Sequence, residues 1–189
     1  MMLRLFRERR ERRKLATKLH DALVQKSREP DFYARFGVPD TMLGRYEMVC
    51  LHAYLVLTRL QREGDSGRRQ AQTLHDMIFD DFDIALREAG LGDMGIGHRI
   101  KKLARNLHGR ISTYEKGLVE GDAEMDVVLR RNMYASAEPS APEVSAMIAY
   151  IRAARREMDS VTASALFAAE LNFPDPAQIR FTSSDEPVT

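Results

Sequence analysis

Tryptophan is absent from the 189 residues and cysteine occurs once. A lone thiol excludes an internal disulfide framework and every paired-cysteine zinc or redox motif. Cys50 sits in the apolar run Met48-Val49-Cys50-Leu51 and is expected as a buried thiol in a reducing compartment. Long apolar runs are also missing. The longest nearly uncharged stretch, Met48 to Leu57, is ten residues and includes His52, whereas a membrane-crossing helix needs about 20. Arginines interrupt Leu3, Leu5 and Phe6 near the start, so no secretory hydrophobic region is predicted and the protein is expected in the cytoplasm.

Catalytic templates are lacking in the same way. The chain has no H-E-x-x-H, no G-x-S-x-G and no Walker loop. Gly90-Leu91-Gly92-Asp93-Met94-Gly95 matches G-x-G-x-x-G, but the residues before it continue a helical pattern where a dinucleotide site needs a strand. Helix termination, with Asp93 capping the next helix, is the expected role. Asp76, Asp80, Asp81 and Asp83 cluster with His75, yet none of the five histidines follows a glutamate by three positions, as helical di-metal sites require. The acidic residues are therefore expected as a solvated or partner-facing surface, with no metal, no cofactor and no enzymatic activity.

What the chain does have is helical periodicity. No segment alternates with period two, so the predicted class is all-α, a single bundle of about six helices. A first helix is expected from about Leu5 to Arg28, stopping before Glu29-Pro30. A second, running to about Arg62, carries Tyr46, Val49, Ala53, Val56 and Leu60 on one face and Met48, Leu51 and Leu55 on another, which predicts a central position. The third spans about Arg69 to Ala89 with Leu74, Ile78, Phe82 and Ala85 inward. The fourth follows the Gly90–Gly97 connector and carries a stripe from Ile96 through Leu107, Ile111 and Tyr114 to Leu118. A short fifth helix runs from Asp122 to about Tyr134. Ser140-Ala141-Pro142-Glu143 fits a capping box that opens a long last helix, with apolar spacing kept from Val144 to Ala168.

The near-neutral net charge of +1 hides a partition. Residues 1–14 sum to +5, residues 174–189 to −2 and the body to −2. Arg4, Arg7, Arg9, Arg10, Arg12, Arg13 and Lys14 surround the helix axis and cannot be a packed face. They are expected either as a solvated extension or as a contact for an anionic surface, phospholipid or RNA. Four segments follow: a basic arm (1–14), a helical domain (15–134), a linker and long helix packing on that domain (135–173), and a disordered tail (174–189).

Phe36-Gly37-Val38-Pro39-Asp40-Thr41 with Gly44-Arg45-Tyr46-Glu47-Met48 and Leu51-His52, then Phe79-Asp80-Asp81-Phe82-Asp83 with Leu86-Arg87 and Gly90-Leu91-Gly92-Asp93, form a recognisable combination. It continues through Gly97, Arg99, Lys101, Leu103, Gly109-Arg110, Tyr114, Arg131-Asn132 and Tyr134. Over about Leu15 to Tyr134 the sequence resembles the ubiquinol–cytochrome c chaperone family. The resemblance implies a non-enzymatic chaperone that holds newly made cytochrome b during assembly of the respiratory complex. Mitochondrial members act with a small partner near the ribosomal tunnel exit. The absence of an organelle presequence here favours a bacterial member working alone, peripheral to the inner membrane. His108 departs from the pattern, where an aromatic residue is expected. On this reading Arg45, His52, Asp80, Asp83, Arg87, Arg99, Lys101, Lys102, Arg110 and Tyr114 form the partner-binding surface, although His52, within the most apolar helix, also fits a hydrogen-bonded core histidine. A ribosome- or RNA-binding adaptor acting through the arm is the alternative function.

Overall fold

The computed structural model describes residues 2–88 and 107–181, and it is all-α. Helix α1 (Met2–Ser27) carries Ala16, Leu19 and Leu23 fully buried on one stripe. Each buried leucine contributes about 1.5–3 kcal/mol relative to exposure. Pro30 starts the short α2 (Pro30–Ala34), which buries Phe32. The loop behind it turns at Gly37, whose φ of +67° is a backbone state that side chains resist. Thr41 caps α3 (Met42–Gln61) by accepting from Gly44 N–H at 3.1 Å. Gly44 is required there, because an added Cβ would collide with the Pro39 carbonyl.

Fifteen of the twenty residues of α3 are buried. It is the bundle's axis, packed by α1, by α4 (Gly64–Glu88), by α5 (Leu107–Glu120) and by α7 (Ala141–Ser160). Cys50 is buried there, as expected. α4 starts at Gly64, earlier than the glycine-containing stretch suggested, since Gly64 takes φ +62° and lets the chain re-enter a helix at once. Leu74 and Ile78 are buried and Phe82 stacks on Tyr46 at 4.7 Å, but Ala85 is exposed. The Gly90–Gly97 connector and Ile96, Ile100 and Leu103 lie outside the described residues. Within α5, Leu107 and Tyr114 are buried and Ile111 is half-buried. α6 (Asp122–Asn132) folds back on α5 and also meets α7.

The capping box of α7 is present: Ser140 Oγ accepts from Glu143 N–H, and Ser140 N–H donates to Glu143 Oε2 at 2.7 Å. The single long helix expected after it is corrected. α7 ends at Ser160, Val161 turns extended, and Thr162 caps a separate α8 (Ala163–Ala168). Ser160 Oγ donates back to Glu157 C=O at 2.7 Å, and Arg59 of α3 donates to the released Val161 carbonyl at 2.7 and 3.2 Å. These side chains give the backbone alternatives to continuing the helix. The apolar spacing survives because Val161 and Ala165 still face inward.

The expected disordered tail is likewise corrected up to residue 181. Ala169 adopts φ +62°, the chain reverses, Pro174 and Pro176 are buried, and a 3-10 turn forms at Pro176–Gln178. Phe181 stacks on Phe36 at 5.1 Å under the Arg35 guanidinium. Phe173, His52, Tyr150 and Phe32 extend this aromatic layer inward, with Phe32 and Tyr150 rings 4.8 Å apart.

Candidate functional site

The C-terminal third of α3 lies at the base of a two-lobed cleft. One lobe, about 630 Å³ between α3, α5 and α7, is lined by Thr58, Gln61, Arg62, Ile111, Glu115, Val119 and Arg155 among others. The second, about 290 Å³ between α3, α4 and α5, includes Leu57, Ala71, His75 and Ile111. Gln61 and Ile111 belong to both lobes. The spacing along α5 builds the shared wall: Ile111, Glu115 and Val119 stand one turn apart on one helical face. Val119 is 77% exposed, an isolated apolar side chain at the rim.

Charge on the walls is held by a chain of ion pairs across three helices. Tyr54 O–H donates to Glu115 Oε2 at 2.5 Å, and Arg155 donates to the same oxygen at 2.8 Å. Arg155 also pairs with Asp159, which accepts from Arg62 at 2.6 Å. Arg155 holds the Glu115 carboxyl below its usual range. Burial, helped by the Glu115 hydrogen bond, pushes the Tyr54 phenol well above its ordinary value. Tyr54 is thus a neutral donor to a fixed anion whose basicity Arg155 lowers. The cleft presents apolar surface inside a fixed polar rim, an arrangement suited to holding rather than to reacting.

A buried polar seam positions α5 for this task. Arg110 donates to Asn132 Oδ1 of α6 and, at 2.6 Å, to Glu47 Oε1 of α3, a carboxylate with no exposed surface. Burial outweighs the attraction of Arg110 and pushes Glu47 up to about 7. Glu47 Oε2, Arg110 Nε, Asn132 Nδ2 and the Tyr114 hydroxyl belong to this region and have no hydrogen-bond partner among the described residues. Four such atoms mark the seam as polar and incompletely satisfied.

The family described as Ubiquinol-cytochrome C chaperone matches residues 34–173, which include every residue named above in the cleft and seam. The chain belongs to the ubiquinol–cytochrome c chaperone family. The crystal structure of the Cbp3 homolog from Brucella abortus superposes with a TM-score of 0.81 at 35% identity, over 95% of this chain and all of that one. The ubiquinol–cytochrome c reductase complex assembly factor 1 of mouse is 20% identical over 146 residues, 77% of this chain and 50% of its own. The Xenopus laevis factor is 17% identical over 146 residues, 77% of this chain and 73% of its own. The chain thus spans about half the length of the mouse relative. Family and relatives alike carry the names of chaperones and assembly factors, which are non-enzymatic.

The chaperone-family match also shifts the boundaries of the resemblance. It takes in α7 and the segment after it, which had fallen outside, and it leaves α1 unmatched. Among the described residues, the partner residues inferred from the resemblance differ in exposure. His52 is fully buried: its Nδ1 lies 2.8 Å from the Met48 carbonyl and its Nε2 lies 2.8 Å from the Tyr150 hydroxyl. Nδ1 must donate to the carbonyl, so Nε2 accepts from Tyr150. Burial pushes His52 down to about 4 and keeps it neutral. Tyr114 is also fully buried, and the half-buried Arg110 turns toward Glu47 in the seam. Arg45 is exposed but clamped by Asp40 at 2.6 and 3.2 Å. Asp80 is exposed and Asp83 half-buried on α4. The side chain of Arg87, together with Arg99, Lys101 and Lys102, lies outside the described residues. Tyr54, Glu115, Arg155, Arg62 and Val119 were not anticipated as a site; they come from three helices and their ends, so no single spacing unites them.

Among the described residues, no helix is long and apolar enough to cross a membrane. The basic residues of the arm lie along the first half of α1, and Arg4 and Lys14 pair with Glu8 and Glu11.

Proposed function

We propose that the protein holds newly made cytochrome b while the ubiquinol–cytochrome c reductase complex is assembled, with the cleft between α3, α4, α5 and α7 as the client seat. The observation that carries this reading is an open cleft with Ile111 in both lobes, Leu57 and Ala71 in one and exposed Val119 in the other, inside the part of the chain that matches the chaperone family. A transmembrane client has apolar helices that find no partner before they meet lipid. A cleft with an apolar floor and a fixed charged rim shields one such face while staying open to water itself. The rim charges are already neutralised within the network of Arg62, Asp159, Arg155 and Glu115, so an entering segment need not strip an unpaired ion.

Site-specific photocrosslinking tests the assignment. A photoreactive side chain at position 119 should capture cytochrome b from cells making the complex, while the same group at exposed Ala163 on α8 should not. Cytochrome b captured equally from both positions, or from neither, refutes the cleft as the seat. Recovery of ribosomes without cytochrome b refutes the client itself.

A further inference from the structure

α1 begins at Met2, and residues 4–11 are exposed without exception. The helix first meets the body where Gln70 of α4 donates to the Arg12 carbonyl at 3.1 Å. Residues 2–11 span about 15 Å of helix at its usual rise, with one flank bordering an open groove against α4 and α8. One face of this stretch is apolar, although Arg4 and Arg7 stand on others. Met2, Leu5 and Phe6 occupy positions i, i+3 and i+4 of one face and are 74%, 58% and 65% exposed. Arg9, Arg10 and Arg13 continue the same face one to three turns deeper, and none of them has an ion-pair partner among the described residues. On another flank Arg4, Arg7, Lys14 and Lys18, with Glu8 and Glu11 among them, face Arg69 of α4 across an open groove of about 960 Å³.

An apolar tip followed by a cationic collar matches the depth profile of an anionic bilayer, acyl chains first and phosphates above them. Arginine stems can lie along the apolar layer while their guanidinium groups reach the phosphates. RNA would meet the arginines but leave Met2, Leu5 and Phe6 without a partner. We propose that residues 2–13 form an interfacial anchor that inserts Met2, Leu5 and Phe6 into an anionic phospholipid membrane, with Arg9, Arg10 and Arg13 on its headgroups. The anchor is independent of the client reading, because none of its residues lines the cleft and client capture at position 119 is measured separately.

The test is flotation of the full chain with vesicles of three parts phosphatidylcholine to one part phosphatidylglycerol, against phosphatidylcholine alone. Binding to the mixed vesicles is expected, weakened by salt, with little to the neutral ones. Leu5→Ser with Phe6→Ser should lower vesicle binding about tenfold and leave binding to polyuridylate unchanged. Both side chains are exposed, so the urea unfolding midpoint should not move. Because the chain has no tryptophan, Phe6→Trp supplies a single reporter, whose emission should shift to the blue on the mixed vesicles. Equal vesicle binding by the parent and the double-serine variant, no emission shift, or binding to polyuridylate without binding to vesicles overturns the proposal.

Discussion

Glu47→Gln isolates the energetics of the buried seam. Glu47 ordinarily titrates near 4.5 and is pushed up to about 7 in the fold, where burial dominates and Arg110 opposes it only in part. A carboxyl raised in this way favours its protonated form in the native state. Its contribution to stability is complete below about pH 4.5 and is lost as the pH rises through about 7. The interval between those values corresponds to about 3 kcal/mol at most. Glutamine cannot titrate but still offers an oxygen to the Arg110 guanidinium, 2.6 Å away in the native chain. The stability of Glu47→Gln relative to the parent should therefore improve by about 2–3 kcal/mol between about pH 4.5 and about pH 8. A buried ion pair is often no more stabilising than a neutral replacement. Urea unfolding followed by far-ultraviolet circular dichroism across that range supplies the measurement. Comparing variant with parent at each pH cancels every other titrating group. A difference independent of pH, or one that moves against the variant as pH rises, refutes the assignment of a raised Glu47. Glu47→Ala provides the contrast: it leaves Arg110 without that acceptor and opens a void, so it should fall about 2–4 kcal/mol below Glu47→Gln at neutral pH.

Three other outcomes follow from the same contacts. His52 is pushed down to about 4 from 6.5, so its stabilising contribution is complete above about 6.5 and is lost as pH falls towards 4; His52→Asn should flatten that acid limb in the same unfolding assay. Val119→Asp should leave stability within about 0.5 kcal/mol, since the side chain is 77% exposed, yet lower cytochrome b capture several-fold; unchanged capture counts against the cleft. Deleting residues 174–189 should lower stability by about 2–4 kcal/mol through loss of Phe181 from the aromatic layer and of the buried Pro174 and Pro176, whereas a disordered tail would be removed at no cost.

Much of the bundle was legible because burial follows periodicity. The two apolar faces of α3 required a central helix, and Ser140 with Glu143 marked the start of α7 before any contact was known. The end of α7 was not legible. The side chains at 158, 161 and 165 keep helical spacing while the backbone between them turns, and the group that stabilises the turn, Arg59, is 102 residues away. The tail failed for a related reason: its composition is polar and proline-rich, but one aromatic residue, Phe181, finds Phe36 across the fold. Residue patterns that identify the family point to residues that maintain its architecture as readily as to those that meet partners. His52 and Tyr114 carried the resemblance and turned out to be fully buried, and Arg110, half-buried, pairs with buried Glu47.

The seam and the cleft are joined by the shortest possible link. Arg110 anchors the seam and Ile111, its neighbour in sequence, stands in both lobes of the cleft. Successive residues on a helix diverge by about 100°, so one turn of α5 faces Glu47 on one side and the cleft on the other. A rotation of α5 that moved Ile111 would have to break or stretch the contact between Arg110 and Glu47. The seam therefore fixes the shape of the cleft wall as well as the stability of the bundle. Loss of cytochrome b capture in Glu47→Ala, with capture kept in Glu47→Gln under conditions where both variants are folded, would be its signature. Equal capture by the two would separate the seam from the site.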